Sequence, residues 1–126
     1  MKIYIAAPWR RKPEAVAAGE KFAQAGFEVT SRWFDHHGDP NDSSGLTESD
    51  KAIRIQACED LLDVSRSDYV VVLNLEKSEG KAVETGYAIA LGIPFVYVGP
   101  RPNIFQTLGT GPFYSVEDAI QYLQTQ

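Results

Sequence analysis

The sequence predicts an α/β fold, with a single doubly wound, mostly parallel sheet of about five strands and helices on both faces. Short apolar runs alternate with segments of helical periodicity, which is typical of right-handed β-α-β crossovers. Residues 69–75 are almost wholly apolar, as expected for a central parallel strand that is covered on both faces. The chain has 126 residues, enough for one domain over residues 1–126 of the flavodoxin-like or Rossmann-like type.

Capping and turn residues set the predicted boundaries of the helices. Pro13 suits a first helical turn, and Gly26 suits the position just after a helix. Thr47, with Asp50 as its capping acid, predicts the start of a helix that runs to about residue 65, and Ser115 predicts the N-cap of the last helix. The predicted strands are 3–6, 27–30, 69–75, 93–98 and a minor one near 111–114, the helices are 13–25, 47–65, 80–91 and 116–123, and a lid-like loop covers 38–45.

Composition restricts the class of protein and the kind of partner. The net charge is −5 and the pI is near 4.9, so the chain lacks the excess of Lys and Arg that binding to a nucleic-acid polymer requires. No run approaches the roughly 20 apolar residues of a membrane span, and the short apolar run after Met1 is not expected to act as a secretory signal. The lone Cys58 provides no disulfide framework. These features predict a cytoplasmic protein that acts on a small molecule.

Glu84 is the carboxylate with the most informative position. It follows the predicted central strand on a mostly apolar helix, on the same side as Tyr87, Ala88 and Leu91. Helical glutamates usually lie at the solvent rim. However, ligands of doubly wound sheets bind beyond the carboxyl ends of the strands, where this helix begins. Glu84 is therefore predicted to face a ligand in a partly desolvated site, which tends to raise the pKa of a carboxyl group.

Asp60 is a second carboxylate in an apolar setting. It lies in the middle of a helical stripe formed by Ile53, Ala57 and Val64. An aspartate that faces the core or a cleft needs polar partners, either in the protein or in a ligand. The residues alone leave these two explanations equally open.

Two carboxyl groups that face one pocket suit the cleavage of an acetal-like bond, such as a glycosidic bond. One group can attack the sugar carbon while the other handles the proton of the leaving group. The sequence contains no dinucleotide-binding, P-loop or nucleophile-elbow motif and no pair of Cys or His with zinc-ligand spacing, so neither a cofactor nor a metal is expected. The adjacent His36 and His37 are interpreted as loop residues.

Three segments resemble the nucleoside 2-deoxyribosyltransferase superfamily, which includes the nucleoside 5′-monophosphate N-glycosidases. Residues 60–72 resemble its Asp-x7-Asp motif before a hydrophobic strand, and residues 80–92 resemble its Gly-x3-Glu-x-Gly-x-Ala-x-Ala-Leu-Gly helix. The opening Lys-Ile-Tyr-Ile-Ala-Ala-Pro-Trp at 2–9 resembles its first strand and loop. The resemblance covers nearly the whole chain and implies the same α/β fold.

The resemblance implies a role for each matched residue. Glu84 would be the nucleophile that attacks C1′ of the sugar and forms a covalent glycosyl-enzyme, and Tyr4 would hydrogen-bond to that carboxylate and position it. Asp60 would hold or protonate the departing nucleobase, and Trp9 would stack on the base. A carboxylate can share the positive charge of an oxocarbenium-like transition state, and the departing base needs a proton donor. The other candidate substrate-binding residues are Arg10, Ser78, Gly80 and Asn103.

Departures from the family pattern bear on the substrate. Transferases of the family commonly have an Asp six residues before the nucleophile, whereas this chain has Ser78, as the monophosphate hydrolases do to contact a 5′-phosphate. Arg10 also matches the hydrolases, but Pro8 replaces their loop serine and removes a hydroxyl and a backbone donor. Trp9 is closer to the transferases. The resemblance thus leaves transfer to a second base and hydrolysis by water open.

The resemblance also implies an assembly, because family members complete each pocket with residues of a neighbouring subunit. We expect a homodimer or a larger homo-oligomer with shared sites, and residues 103–106 are the candidate segment for that contact. The first hypothesis is deoxyribosyl transfer through Glu84, and hydrolysis of deoxynucleoside monophosphates is the alternative. A sensor that binds nucleotides without chemistry is a third hypothesis. A phosphoribohydrolase-like enzyme would instead have Gly-Gly-x-Gly-Thr where this chain has Ser-Glu-Gly-Lys at 78–81.

Overall fold

The computed structural model describes residues 1–36 and 49–126, and over these residues it confirms the α/β fold. Parallel pairing joins the strands into one sheet in the order β2-β1-β3-β4-β5, with β3 at its centre. The strands are β1 Lys2–Ala6, β2 Glu28–Val29, β3 Tyr69–Leu73, β4 Phe95–Val98 and β5 Thr110–Phe113. The helices are α1 Lys12–Gln24, α2 Asp50–Ser65, α3 Glu79–Leu91 and α4 Val116–Gln124, with 3-10 helices at Trp9–Arg11, Trp33–Asp35 and Ile104–Leu108.

Helices cover both faces of the sheet. On one face α1 packs against α4, and on the other face α2 packs against α3. The inner strands β1 and β3 are each buried along nearly their whole length, which explains their unbroken runs of apolar residues. Tyr4 lies beside Val70 in the β1–β3 register, so its side chain comes from the interior of the sheet rather than from a loop. None of the helices in the described residues is long and apolar enough to span a membrane.

Serine side chains cap the starts of α2, α3 and α4. Ser115 Oγ accepts from the backbone N–H of Asp118 at the start of α4, as predicted. The predicted start of α2 at Thr47 is wrong, because the helix begins at Asp50 and its N-cap is Ser49, whose Oγ accepts from Ala52 N–H. Thr47 itself and the predicted loop over 38–45 lie outside the described residues.

The chain after β2 is held against the end of β1 by side chains, since β2 itself ends at Val29. Ser31 Oγ accepts from Ile5 N–H at 2.7 Å, and the indole Nε1 of Trp33 donates to Ile5 O at 2.9 Å. Both side chains are buried. These bonds replace the strand pairing that stops at Val29 and bring His36, three residues after Trp33, to the carboxyl edge of the sheet.

Candidate active site

The loops and helix starts at the carboxyl edge of the sheet carry most of the polar residues singled out in the sequence. The 3-10 helix Trp9–Arg11 follows β1, His36 follows β2, and α3 follows β3. Parallel strands place all these ends on one edge, where doubly wound proteins bind ligands. Asp60 reaches this edge from α2, which packs against both α3 and the 3-10 helix after β2.

Tyr4 and Glu84 form the most direct contact of the site. The hydroxyl of Tyr4, a fully buried residue of β1, donates a hydrogen bond to Glu84 Oε2 on α3. Burial raises the pKa of Glu84 well above its ordinary value, because a charged carboxylate loses solvation there. The Tyr4 hydrogen bond acts in the opposite direction, since it stabilises the carboxylate form. The pair therefore provides a held, poorly solvated carboxyl group beside the central strands.

The helix face around Glu84 agrees with the sequence prediction over most of its length. Ala88 is buried and Tyr87 is half-buried against the core. Leu91, predicted on the same side, is 47% exposed in the last turn of α3, just before Gly92 ends the helix with a left-handed backbone (φ 72°). The apolar face of α3 thus ends one turn earlier than its sequence pattern predicts.

Asp60 lies in a partly buried position among other acids. Burial, and the nearby charges of Asp63 and Glu59, raise the pKa of Asp60 to about 7, while Arg32 lowers it. The predicted stripe around it holds only in part, because Val64 is buried but Ala57 is exposed. A carboxyl group with this pKa is half protonated near neutral pH and can donate a proton.

His36 is the site residue that the sequence analysis missed. Its Nε2 lies 3.9 Å from Asp60 Oδ1 and 4.0 Å from Glu59 Oε2. Within the described residues, neither His36 Nε2 nor Asp60 Oδ1 has a hydrogen-bond partner although both atoms are buried. Burial lowers the pKa of His36. The only signal in the sequence was its place after a strand of the sheet, and its neighbour His37 lies outside the described residues.

Trp9 belongs to an aromatic cluster beside His36. Its ring lies 6.1 Å from that of Trp33 and 6.3 Å from the imidazole of His36, measured between ring centres. The ammonium of Lys12 sits 5.2 Å from the centre of the Trp9 ring and donates to His36 O at 2.8 Å. The half-buried indole thus forms an aromatic surface next to His36, which in turn lies beside Asp60.

A buried aspartate close to Asp60 has a different task. Asp63 is 2% exposed, and its carboxylate accepts from the backbone N–H of Arg32 at 3.0 Å and from Arg32 Nε and Nη2 at 2.9 Å. These charge-assisted bonds tie α2 to the segment after β2. Asp63 therefore holds the scaffold on which Asp60 and His36 sit, a function that its sequence spacing did not reveal.

Ser78 and Asn103 cap helices, and Arg10 makes a long ion pair. Ser78 Oγ accepts from Lys81 N–H at 3.2 Å at the start of α3, next to the exposed Gly80. Asn103 Oδ1 accepts from the backbone N–H groups of Phe105 and Gln106 in the 3-10 helix after β4. Arg10 Nε lies 3.9 Å from Glu76 Oε1.

The predicted residues fall into three neighbouring groups rather than one closed pocket. Tyr4 and Glu84 are in contact, Trp9 and Asp60 meet around His36, and Ser78 and Asn103 line a mainly apolar groove of about 520 Å³ between α3 and the 3-10 helix after β4. In the described parts of the chain, no hydrogen bond or ion pair links Asp60 to Glu84, although their helices pack together. A molecule that touched both acids would have to bridge them.

Over residues 1–36 and 49–126, no three His, Cys, Asp or Glu side chains are grouped so that they could hold a metal ion.

Comparisons with known proteins agree with this architecture. The family model for nucleoside 2-deoxyribosyltransferase matches residues 3–111. The structure is similar to a 2-deoxyribosyltransferase from the psychrotolerant bacterium Bacillus psychrosaccharolyticus, with a TM-score of 0.72 and 20% identity over 97% of this chain and 92% of the other. It is also similar to the CMP N-glycosidase BcmB of Clostridium botulinum, with a TM-score of 0.57 and 14% identity over 100% of both chains.

The search of curated proteins found no significant match. The two structural similarities establish the fold, and the family model covers most of the sequence, including Tyr4, Asp60 and Glu84. This chain belongs to the nucleoside 2-deoxyribosyltransferase family.

Proposed function

We propose that the protein is a cytoplasmic enzyme that cleaves the N-glycosidic bond of a 2′-deoxynucleoside, or of its 5′-monophosphate, and transfers the deoxyribosyl group to another nucleobase. The observation that carries the proposal is the hydrogen bond from the Tyr4 hydroxyl to Glu84 Oε2 at the ligand-binding edge of the sheet. Membership of the family supports the same class of reaction.

The proposed reaction passes through a covalent intermediate. Tyr4 holds Oε2 of Glu84, and Oε1 forms the bond to C1′ while the bond from C1′ to the base nitrogen breaks. The electron pair of that bond leaves with the base, which takes a proton from Asp60. In the second step a nitrogen of the acceptor base bonds to C1′, Glu84 leaves as a carboxylate, and the acceptor's proton returns to Asp60.

The pKa shifts of the two acids support these roles, with Asp60 as the proton donor and Glu84 as the nucleophile. The pKa of Asp60 is raised to about 7, so the group can be protonated at the start of the reaction. Glu84 must be ionised to attack, and its Tyr4 partner favours that form against the effect of burial. The Trp9 ring beside His36 offers a flat surface on which the base can stack as it leaves.

Hydrolysis of a deoxynucleoside monophosphate is the second candidate, and it uses the same intermediate with water as the acceptor. Ser78 favours it, because a serine at the start of α3 can present its hydroxyl and nearby backbone N–H groups to a phosphate. The CMP N-glycosidase among the similar structures acts on a nucleotide, which agrees with this candidate.

One assay separates these functions. The protein is incubated with deoxynucleosides and with their 5′-monophosphates, each with and without a second free base, and the products are separated by chromatography. A new nucleoside or nucleotide supports transfer, whereas free sugar or sugar phosphate without it supports hydrolysis. Ligand-dependent thermal stabilisation without release of base would contradict both and favour a sensor.

We also propose that the active form is a homo-oligomer. An apolar patch is formed by Ile104, Phe105 and Leu108, which are 75%, 62% and 67% exposed. Phe105 and Leu108 also line the groove along α3, so the patch and the groove form one continuous apolar surface. An exposed apolar surface of this kind is suited to a two-fold contact between copies of this chain. Asn103, at the start of this 3-10 helix, would then approach the partner's site, whereas Gln106 is buried within its own chain.

The oligomeric state can be tested with a pair of leucine variants. Leu108→Glu places a charge in the apolar patch, and Leu62→Glu places one at another exposed leucine, on α2. Light scattering coupled to size exclusion should give a mass above that of one chain for the wild type and for Leu62→Glu, and a monomer for Leu108→Glu. A monomeric wild type, or an unchanged mass for Leu108→Glu, would contradict the proposal.

A further inference from the structure

Lys81 is a buried lysine near the start of α3. It is 3% exposed, and its ammonium donates to Asn74 Oδ1 and to Glu76 O, both at 3.0 Å. Lysine is almost never buried to this extent unless its charge has partners. Both acceptors lie in the connection between β3 and α3. Lys81, in the first turn of α3, therefore holds that connection against the start of the helix.

The contacts of Lys81 continue into the segment after β4. Asn74 Nδ2 donates to Gln106 Oε1 at 2.5 Å, and Gln106 Nε2 donates back to Asn74 Oδ1 at 3.1 Å. Gln106 is buried in the 3-10 helix Ile104–Leu108. One oxygen, Asn74 Oδ1, thus accepts from both Lys81 and Gln106, and the ends of β3 and β4 are fixed to each other.

Glu76 extends the same network toward the segment after β1. Its carbonyl oxygen accepts from Lys81, while its carboxylate lies 3.9 Å from Arg10 Nε and 3.9 Å from Arg11 Nη1. The two arginine contacts are long and partly exposed, so they contribute little by themselves. The buried bonds of Lys81 are the stronger part of the network.

The position of Lys81 in the helix relates this network to the Tyr4–Glu84 pair. Lys81 is the third residue of α3, and Glu84 follows within the next helical turn. The main-chain N–H of Lys81 also donates to Ser78 Oγ, so the same residue is part of the N-cap. A change in where α3 begins would rotate or shift the Glu84 carboxylate relative to Tyr4, which is fixed inside the sheet.

We propose that Lys81 is a positioning residue for the reaction of Glu84. Its ammonium fixes the connection between β3 and α3, and through it the place of the Glu84 carboxylate opposite Tyr4. This inference rests on the proposed function, because it assigns Lys81 to the chemistry of Glu84. A lysine that only stabilised the fold would have no such link to turnover.

Lys81→Met tests the proposal, since methionine fills a similar volume without the ammonium. For the folded fraction of the variant, we expect kcat to fall about 100-fold with KM within about threefold, because a displacement near 1 Å of a reacting group has an effect of this size. Lys77→Met is the control, since Lys77 is an exposed lysine of the same connection and should retain wild-type kcat. An equal loss in Lys77→Met would mean that general charge, rather than the buried contacts, matters.

A double-mutant cycle with Tyr4→Phe distinguishes positioning from stability. If Lys81 acts through the Tyr4–Glu84 pair, the two substitutions together should lower kcat much less than the product of their separate effects. Multiplicative effects, or a normal kcat with only a lower melting temperature, would overturn the proposal. If Lys81→Met does not fold, Gln106→Leu replaces it in the same cycle, with the same two outcomes.

Glu84→Gln separates this inference from the proposed function. If Glu84→Gln keeps its activity, the proposed function fails. If Glu84→Gln is inactive while Lys81→Met retains wild-type kcat, only the role of Lys81 fails.

Discussion

The hydroxyl of Tyr4, in the first strand, donates a hydrogen bond to the carboxylate of Glu84, 80 positions later in the chain. Tyr4→Phe removes this donor but keeps the buried ring, so the fold should remain intact. We expect kcat to fall about 10- to 100-fold, since the carboxylate loses the group that orients it. Loss of the donor also disfavours the ionised form, so the acid limb of the pH profile should move to higher pH.

Tyr122→Phe is the matched control for Tyr4→Phe, because Tyr122 lies on α4, on the opposite face of the sheet. Its kinetics should equal those of the wild type. A Tyr4→Phe variant with both normal kcat and an unmoved acid limb would show that the hydrogen bond has no part in the reaction.

The activity should depend on pH through both acids. The reaction needs Glu84 ionised, so the rate falls as pH decreases through a pKa that burial raises above the ordinary value of 4.5. It needs Asp60 protonated, so the rate also falls as pH increases above about 7. A plot of kcat/KM against pH, which reports the pKa values of the free enzyme, should therefore be bell-shaped with its alkaline limb near 7.

Asp60→Asn tests which group produces the alkaline limb. Asparagine keeps the size of the side chain but cannot give a proton to the departing base, so the remaining activity should lose that limb. The alkaline limb is not assigned to His36, because burial lowers the pKa of its imidazole from the ordinary value of 6.5, away from the limb near 7. Retention of a limb near 7 in Asp60→Asn would exclude Asp60 as its origin.

Ser78 should determine the choice between nucleosides and their monophosphates. Asp is as good an N-cap as Ser, so Ser78→Asp should keep the melting temperature while its charge repels a 5′-phosphate. The ratio of kcat/KM for a deoxynucleoside monophosphate to that for the deoxynucleoside should fall about 100-fold. An unchanged ratio would mean that Ser78 does not meet the phosphate.

Two alanine variants separate capping from recognition. Ser78→Ala and Ser115→Ala each remove an N-cap hydroxyl, and each should lower the free energy of unfolding by about 1 kcal/mol. Only Ser78→Ala should also lower kcat/KM for deoxynucleoside monophosphates.

The buried carboxylate of Asp63 should matter for stability. Asp63→Asn weakens its charge-assisted bonds to Arg32 in a site that is 2% exposed, and denaturant titration should show a loss of about 2 kcal/mol in the free energy of unfolding. Glu59→Gln, which neutralises a more exposed acid with ion pairs of 3.9 and 4.0 Å, should change that free energy much less. Equal losses would mean that the buried bonds of Asp63 add no more stability than the exposed ion pairs of Glu59.

The sequence was sufficient to predict the order and type of the strands and helices. Apolar runs identified β1 and β3, and Ser115 and Gly92 lie at helix ends where local capping chemistry decides the boundary. The start of α2 was less certain in physical terms, because Thr47 and Ser49 are both good N-caps and only the structure shows that Ser49 accepts the bond.

The site was predictable only where side chains follow helical or strand periodicity. Glu84 could be placed near the sheet edge from its helix, and the Tyr4 contact came from the resemblance. The approach of His36 to Asp60 depends on Trp33 bonding to the end of β1, a tertiary contact that leaves no local pattern. The partner of Asp63 is likewise Arg32, from a distant segment, which spacing within α2 cannot reveal.

The release of free base by Glu84→Gln tests the central claim most directly. Glutamine keeps the size of the side chain but cannot form the glycosyl ester, and Glu20→Gln, an exposed glutamate on α1, serves as the control. With the acceptor base either omitted or supplied, chromatography should detect wild-type release of free base in Glu20→Gln and at most about one thousandth of it in Glu84→Gln. Near-normal release by a folded Glu84→Gln protein would contradict the assignment of Glu84 as the nucleophile.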